Sequence, residues 1–179
     1  MTGPVAGVRP AAVADADAIG EIHVASWQAA YAGLLPAEFL RGLSVADRQQ
    51  YWARRLAEPR PGHVLVVLDG PEVAGFTDVG PSRDEGADAH TGELNAIYLH
   101  PERWRRGLGR QLHEHALAEL AADGYTTATL WVLHGNHQAR RFYQRAGWID
   151  EGLSKEALMR NGTIRAEEVR YRITLPSKS

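Results

Sequence analysis

The stretch from Leu94 to Leu133 constrains the fold of this chain more than any other. Leu94–Leu99 is a short apolar run of strand type, and Gly107–Ala122 carries Leu108, Leu112, Ala116 and Leu120 in one helical stripe. Asp123-Gly124 stops that helix, and Thr126–Leu133 then alternates Ala128, Leu130 and Val132 against Thr127, Thr129 and Trp131. A strand, a crossover helix and a second strand imply that the two strands pair parallel in one sheet.

The flanking segments supply the rest. Val5–Arg9 reads as a short strand, and Asp15 or Asp17 as the cap of a helix to about Ala32 with Ile19, Ile22, His23, Ser26 and Ala30 near helical spacing. Leu34-Leu35-Pro36 breaks it, and a further helix over Val45–Ala57 ends at Pro59 and Pro61. His63–Leu68 and Glu72–Val79 flank Asp69-Gly70 as a hairpin, and the polar segment Pro81–Gly92 is predicted to be a mobile loop. A helix over Asn136–Arg145 closes on Gly147, and strands near Trp148–Leu158 and Arg165–Leu175 flank Asn161-Gly162. The order β α α β β β α β α β β makes a mixed sheet with helices on both faces the natural architecture. At 179 residues, with neither repeat nor long linker, residues 1–179 are expected to form a single domain.

Charge narrows the partners. A net charge of −2 provides no overall field for nucleic acid. Positive charge is local: Arg103, Arg105, Arg106 and Arg110 surround two glycines, and Arg140, Arg141 and Arg145 lie on the later helix. That distribution suits a small polyanion better than a duplex. The lack of cysteine removes disulfides, thiolate metal sites and a cysteine nucleophile. His113 and His115 point to different helix faces, and His134 and His137 straddle a turn, so no metal is expected; His100 before Pro101 reads as a turn residue. No leader pattern and no membrane-length apolar run is found, so the expectation is a cytoplasmic chain without a membrane partner.

Gly107-Leu108-Gly109 is the chemically suggestive motif. A dinucleotide fingerprint wants a third glycine where Leu112 stands, and a strand that feeds the turn directly; here seven residues lie between Leu99 and Gly107. A P-loop wants Gly-Lys-Ser/Thr, which is absent. Two readings remain: a pyrophosphate cradle at a helix N-terminus, or a plain helix entrance with solvated arginines.

The stretches ELNAIYLHPERWRRGLG (Glu93–Gly109) and NHQARRFYQRAGW (Asn136–Trp148) resemble the GNAT superfamily of N-acetyltransferases. The resemblance is close from Glu93 to Trp148, and the element order extends it to nearly the whole chain. It implies an α/β (α+β) single domain: a mixed, mostly antiparallel sheet of about seven strands, with helices on both faces and a splayed parallel central strand pair. The family signature Arg/Gln-x-x-Gly-x-Gly/Ala is written here Trp104-Arg105-Arg106-Gly107-Leu108-Gly109, so Trp104 departs from it. Acetyl-CoA is the implied acyl-donor cosubstrate, with no metal. Its pyrophosphate would lie on backbone amides from about Arg105 to Arg110, and its pantetheine arm would pair with the main chain of Ile97, Tyr98 and Leu99 like an added strand. Asn136, Ala139, Phe142, Tyr143, Gly147 and Trp148 match the family's Asn…Ala…Phe-Tyr…Gly-Phe pattern, with Trp148 in place of Phe.

An alkylamine of pKa about 10.4 must lose a proton before it attacks a thioester. The resemblance makes Glu93 the candidate base, directly or through water, against the plainer reading of a strand-edge carboxylate. Tyr143 is the candidate acid or hydrogen-bond donor to the coenzyme sulfur, Asn136 serves equally as a helix N-cap, and the N–H of Leu99 is the candidate oxyanion donor. Trp27, Gln28 and Tyr31 in SWQAAY are candidate acceptor contacts, with core packing the competing reading for the two aromatics. Asp84, Glu85 and Asp88 either attract a cationic amine or keep their loop soluble. The implied reaction is direct acetylation, in a ternary complex, of a primary amine on a small molecule or a peptide N-terminus. A non-catalytic acetyl-CoA-binding module and transfer to a hydroxyl are the alternatives, and a homodimer through the last strands is the family habit.

Overall fold

The computed structural model describes residues 7–159 and 162–176; Val5, Ala6 and Asn161, which belong to expected elements, lie outside the described residues. The crossover forms as expected. Strand β4 (Thr91–Leu99) leads through helix α4 (Leu108–Ala122) to strand β5 (Thr127–Leu133), and β4 pairs parallel with β5. The remaining strands are β1 (Val8–Pro10), β2 (His63–Asp69), β3 (Glu72–Pro81), β6 (Ile149–Met159) and β7 (Ile164–Thr174). Together they make a seven-stranded sheet in the order β1-β2-β3-β4-β5-β7-β6, with every other pairing antiparallel.

Helices α1 (Ala16–Ala30), α2 (Ala37–Arg41) and α3 (Val45–Ala57) serve one face of the sheet, while α4 and α5 (His137–Arg145) serve the other. On the first face Ile19, Ile22 and Trp52 pack on Val64, Val66 and Phe76. On the second, Ala116 and Leu120 pack on Leu94, Leu130 and Tyr171, with Tyr143 and Trp148 completing the layer. The apolar stripe of α4 is buried as its spacing requires.

The functional slot comes from a defect in the sheet. Parallel pairing spans only Thr91↔Thr127, Gly92↔Ala128 and Glu93↔Thr129, after which β4 and β5 separate. Opposite β3, Asp78 faces Ala96 and Val79 faces Leu94, so Asn95 stands unmatched as a bulge. A bulge bends and twists its strand, and this one lies two residues past the last parallel pair.

Three expectations are corrected. The break at Leu34-Leu35-Pro36 holds, but the stretch before Val45 is not free of helix: one turn of α2 follows, because burying Phe39 and Leu40 outweighs weak local helix preference. β4 begins at Thr91 rather than Leu94; the bulge at Asn95 breaks the period-two pattern, and Gly92 is fitted closely under Leu120 and Tyr125, where a Cβ would meet Leu120 Cδ2 at 2.8 Å. The loop that remains, residues 82–90, is pinned rather than free. Asp84 accepts from Trp131 Nε1 at 2.8 Å and from Arg170 at 3.3 Å, and Asp88 accepts from the His90 N–H at 2.8 Å. Those two acids are therefore used internally. None of the described helices is long and apolar enough to cross a membrane.

Candidate active site

The approach to α4 has an unusual backbone. After a short turn at Pro101–Arg103, Arg105 has φ 63° and Gly107 has φ 78°. A left-handed residue other than glycine is uncommon and costs of order 1 kcal/mol or more. Such conformations in close succession turn backbone N–H groups toward a common concavity, which suits an anion. In the first turn of α4 the amides of Leu108, Gly109 and Arg110 have no carbonyl behind them; the first closed bond runs from Gln111 N–H to Gly107 C=O at 3.2 Å. A Cβ at Gly109 would stand in ordinary contact, 3.4 Å from Leu99 Cδ1 and 3.9 Å from Phe142 Cε2, which leaves no room there for a larger side chain.

The arginines divide their labour. Arg103 pairs with Asp69 and Glu72, Arg106 with Asp69 at 3.1 Å, and Arg110 with Glu114 at 2.8 Å. Arg105 is exposed and has no carboxylate partner among the described residues. Trp104, the departure from the family signature, gives its indole N–H to the Leu99 carbonyl at 2.9 Å and so ties the cradle to the end of β4.

Next to the cradle lies the open edge of β4. The His100 N–H donates to Ala74 C=O at 2.9 Å, and the Ala96 carbonyl accepts from Thr77 Oγ1 at 2.8 Å, both across to β3. Backbone groups alternate sides along a strand. The main chain of Ala96 and Tyr98 is thus turned to β3, and that of Ile97 and Leu99 to the side β5 has left. Tyr98 brings its ring to the site rather than its peptide groups. A diphosphate on the cradle, followed by an amide-bearing arm along Ile97 and Leu99, fits this arrangement.

Helix α5 supplies Tyr143. Asn136 caps it, its Oδ1 accepting from the Ala139 N–H at 3.2 Å, while Ala139 and Phe142 pack on the core. The Tyr143 ring is boxed by Phe142, Trp148 and Tyr171 at centroid distances of 5.5, 6.0 and 6.4 Å. Burial, with Tyr98 adding, pushes its phenol well above the usual range. Burial also raises the phenols of Tyr31 and Tyr98. Tyr143 packs on the α4–α5 face, yet it is in electrostatic reach of Tyr31 and Tyr98 on the opposite face. The opening between β4 and β5 is what lets these groups meet.

On the α1 side, Trp27, Tyr31 and Tyr98 form one aromatic cluster, with Trp27 at 5.0 Å from Tyr31 and 6.4 Å from Tyr98. Trp27 also lines a cleft of about 410 Å³ with Phe39, Leu43, Arg48 and Met159. Gln28 instead turns outward and gives its amide to the Leu40 carbonyl at 3.0 Å, joining α1 to α2.

Glu93 is 3% exposed, and its two oxygens accept from the Arg83 N–H at 2.7 Å and the Arg83 guanidinium at 2.8 Å. It stands at the last parallel pair, where the slot opens. Sequence reasoning missed three residues here: Arg83, His23 and Glu168. Only His23 left a signal, its helical spacing toward the core. Its Nδ1 accepts from Trp52 Nε1 at 3.0 Å, which assigns the proton to Nε2, and Nε2 is buried without a partner. Burial, with Arg48 adding, lowers its pKa to about 3. Its ring stacks on Tyr98 at 5.5 Å.

Comparison with known proteins agrees with this geometry. The model of the Acetyltransferase (GNAT) family matches residues 21–148. The uncharacterized N-acetyltransferase YuaI of Bacillus subtilis (strain 168) is 33% identical over 129 residues, spanning 72% of each chain. Among solved structures, the PaiA N-acetyltransferase of Thermoplasma acidophilum in complex with coenzyme A superposes with TM-score 0.72 at 19% identity, over 94% of this chain and 98% of that one. YncA of Salmonella typhimurium with acetyl-CoA gives 0.70 at 22% identity, over 97% and 96%. With its splayed strand pair, its glycine-led entrance to α4 and this matched span, the chain belongs to the GNAT family of acetyltransferases.

Proposed function

We propose that this chain transfers the acetyl group of acetyl-CoA to a primary amine, on a small molecule or a peptide N-terminus, by direct attack in a ternary complex. The observation that carries the reading is the open edge of β4, which leads from the cradle at Gly107 to the point where Tyr143, Tyr98 and Tyr31 converge. Acetyl-CoA supplies the activated acyl carbon. The amides of Arg105 to Arg110 hold the diphosphate, and Ile97 and Leu99 align the arm.

The roles of the side chains follow from their surroundings. Tyr143 keeps its proton at any working pH, so it acts as a hydrogen-bond donor to the departing sulfur rather than as a freely titrating acid. The Leu99 N–H, turned to the open side, donates to the carbonyl oxygen as negative charge develops. Both Glu93 oxygens are engaged by Arg83, so a base role for it requires a water relay or displacement of Arg83. Asn136 holds the helix that presents Tyr143, and Trp27 walls the acceptor side with Tyr31 packed against it.

The test is a panel of primary amines assayed with acetyl-CoA by release of free coenzyme A thiol. Steady release with at least one amine is expected. Tight acetyl-CoA binding without turnover of any amine would mark the chain as a non-catalytic acetyl-CoA-binding module and defeat the proposal.

A further inference from the structure

We infer that Glu168 seats the acceptor's ammonium group and takes its proton, and that the acceptor carries an apolar body lodged against Trp27, Phe39, Leu43 and Met159. This inference rests on the acetyltransferase reading of the site. It assigns the proton-accepting role to a residue on β7, at the far end of the chain from the helices that wall the cleft.

The placement of Glu168 follows from strand register. It lies opposite Leu133 on β5 and Lys155 on β6. Leu133 packs with Leu35, Phe39 and Leu40, and Ala166 packs against the same cluster beside Trp27, Tyr31 and Met159. Residues two apart on a strand share a face. Glu168 therefore faces the α1–α2 side, the side of the sheet that also carries the cleft of about 410 Å³, whose lining adds Ser44, Asp47 and Arg48 to the four apolar residues.

Glu168 is half-buried, and among the described residues its carboxylate makes neither a hydrogen bond nor an ion pair. Lys155, its cross-strand neighbour, is occupied elsewhere, 4.0 Å from the Trp131 ring and 4.0 Å from Asp84. Glu93, by contrast, is held by Arg83. The ionisable groups facing Glu168 are Tyr31 from α1, Glu93 and Tyr98 from β4, Lys155 from β6 and Arg83 from the loop, and α3 adds Asp47 and Arg48 on the cleft wall.

An unpaired carboxylate beside two phenols is suited to a primary ammonium, which has three N–H donors to place. Burial lifts the Glu168 carboxyl above the ordinary glutamate range, with Glu93 adding to the lift and Lys155 and Arg83 opposing it. That rise makes it a stronger base near neutral pH.

The protons balance. The ammonium gives one proton to the Glu168 carboxylate, and the lone pair so freed bonds to the thioester carbonyl carbon. The carbon–sulfur bond breaks and the sulfur keeps the electron pair. The second proton shed by nitrogen passes to that sulfur through the Tyr143 hydroxyl. Glu168 then releases its proton to water, leaving one amide, one thiol and one proton.

Binding and kinetics test this separately. Phenethylamine and phenethyl alcohol share a shape and differ in charge, and each is titrated calorimetrically into the coenzyme A-loaded protein. The wild-type chain is expected to bind the amine at least tenfold tighter than the alcohol. Glu168→Gln should abolish that preference, with Glu168→Asp recovering part of it and coenzyme A affinity unchanged in both. In the turnover assay, kcat/KM should fall on the acid side with a limb above the ordinary carboxylate range, and Glu168→Gln should remove that limb. Loss of the limb in Glu93→Gln but not in Glu168→Gln, equal amine binding by the Gln variant and wild type, or no amine binding by wild type each overturns the inference. Failure to bind coenzyme A at all strikes instead at the acetyltransferase reading.

Discussion

Tyr143 and His23 show how burial sets side-chain chemistry in this protein. The box of Phe142, Trp148 and Tyr171 strips water from the Tyr143 phenol and holds its proton in place. Tyr143→Phe removes the hydroxyl and keeps the packing. It should lower kcat by about 100- to 1000-fold, the ordinary range for losing one aligned donor, while the acetyl-CoA Kd moves less than about twofold. Initial rates and calorimetric titration of the variant check both numbers. His23 is the complementary case, a neutral imidazole locked under Trp52 and Tyr98. Its folded pKa of about 3 lies below the unfolded value near 6.5, so between those two the unfolded chain binds the extra proton. Stability is then fully present above about pH 6.5 and declines as pH falls, by at most about 1.4 kcal/mol per unit from this residue. His113, also lowered by burial, acts in the same direction. Tm measured from pH 7 to pH 4 should drop steeply, and His23→Gln should flatten that slope; an unchanged slope in the variant would remove His23 as its source.

At the scale of elements, the cradle and its neighbouring strand matter most. Gly107 has open space around its missing Cβ, so the cost of Gly107→Ala is conformational alone, roughly 1 kcal/mol of stability at φ 78°. Gly109 differs: its φ is ordinary, and Leu99 Cδ1 already stands 3.4 Å from where a Cβ would lie. The methyls of Gly109→Val reach beyond that contact, so the first turn of α4 should shift off Leu99, raising the acetyl-CoA Kd about tenfold, near 1.4 kcal/mol, and lowering Tm as well. Titration of both variants separates a backbone effect on folding from a steric effect on binding. Elements with strong local signals were readable from the chain alone. The stripe of Leu108, Leu112, Ala116 and Leu120 in α4 and the span of α3 before Pro59 and Pro61 are local physics, since each signal and its effect lie within a few turns. α2 was not readable, because a single helical turn has almost no intrinsic stability and exists by burying Phe39 and Leu40 against other elements.

For the whole molecule, the proposed coenzyme site joins both halves of the sheet. The cradle is tied through Arg103 and Arg106 to Asp69 and Glu72 in the β2–β3 hairpin, and Tyr143 reaches the site from beyond β5. A ligand held by both halves stabilises the folded chain as a unit. Acetyl-CoA at a hundredfold excess over Kd should contribute about 2.7 kcal/mol, which for a chain of this size means a Tm higher by roughly 5–10 °C. A thermal scan with and without acetyl-CoA measures it, and the increment should shrink in Gly109→Val in proportion to the lost affinity.

Sequence alone determined the parallel crossover, the glycine-led entrance to α4 and the candidacy of Tyr143, since each depends on residues close together along the chain. The element order followed as well, apart from α2 and the exact start of β4. Tertiary structure alone decided how far β4 and β5 stay paired, that Tyr98 contributes a ring and not a peptide, that Gln28 braces α2, and that Asp84 is consumed by Trp131 and Arg170. It also decided which carboxylate is free. Glu93 and Glu168 look alike as letters in strands, and their difference arises because Arg83 reaches one and no described side chain pairs with the other. The availability of a charge depends on partners brought from Tyr31 to Glu168 across nearly the full chain, and no local pattern encodes such distances.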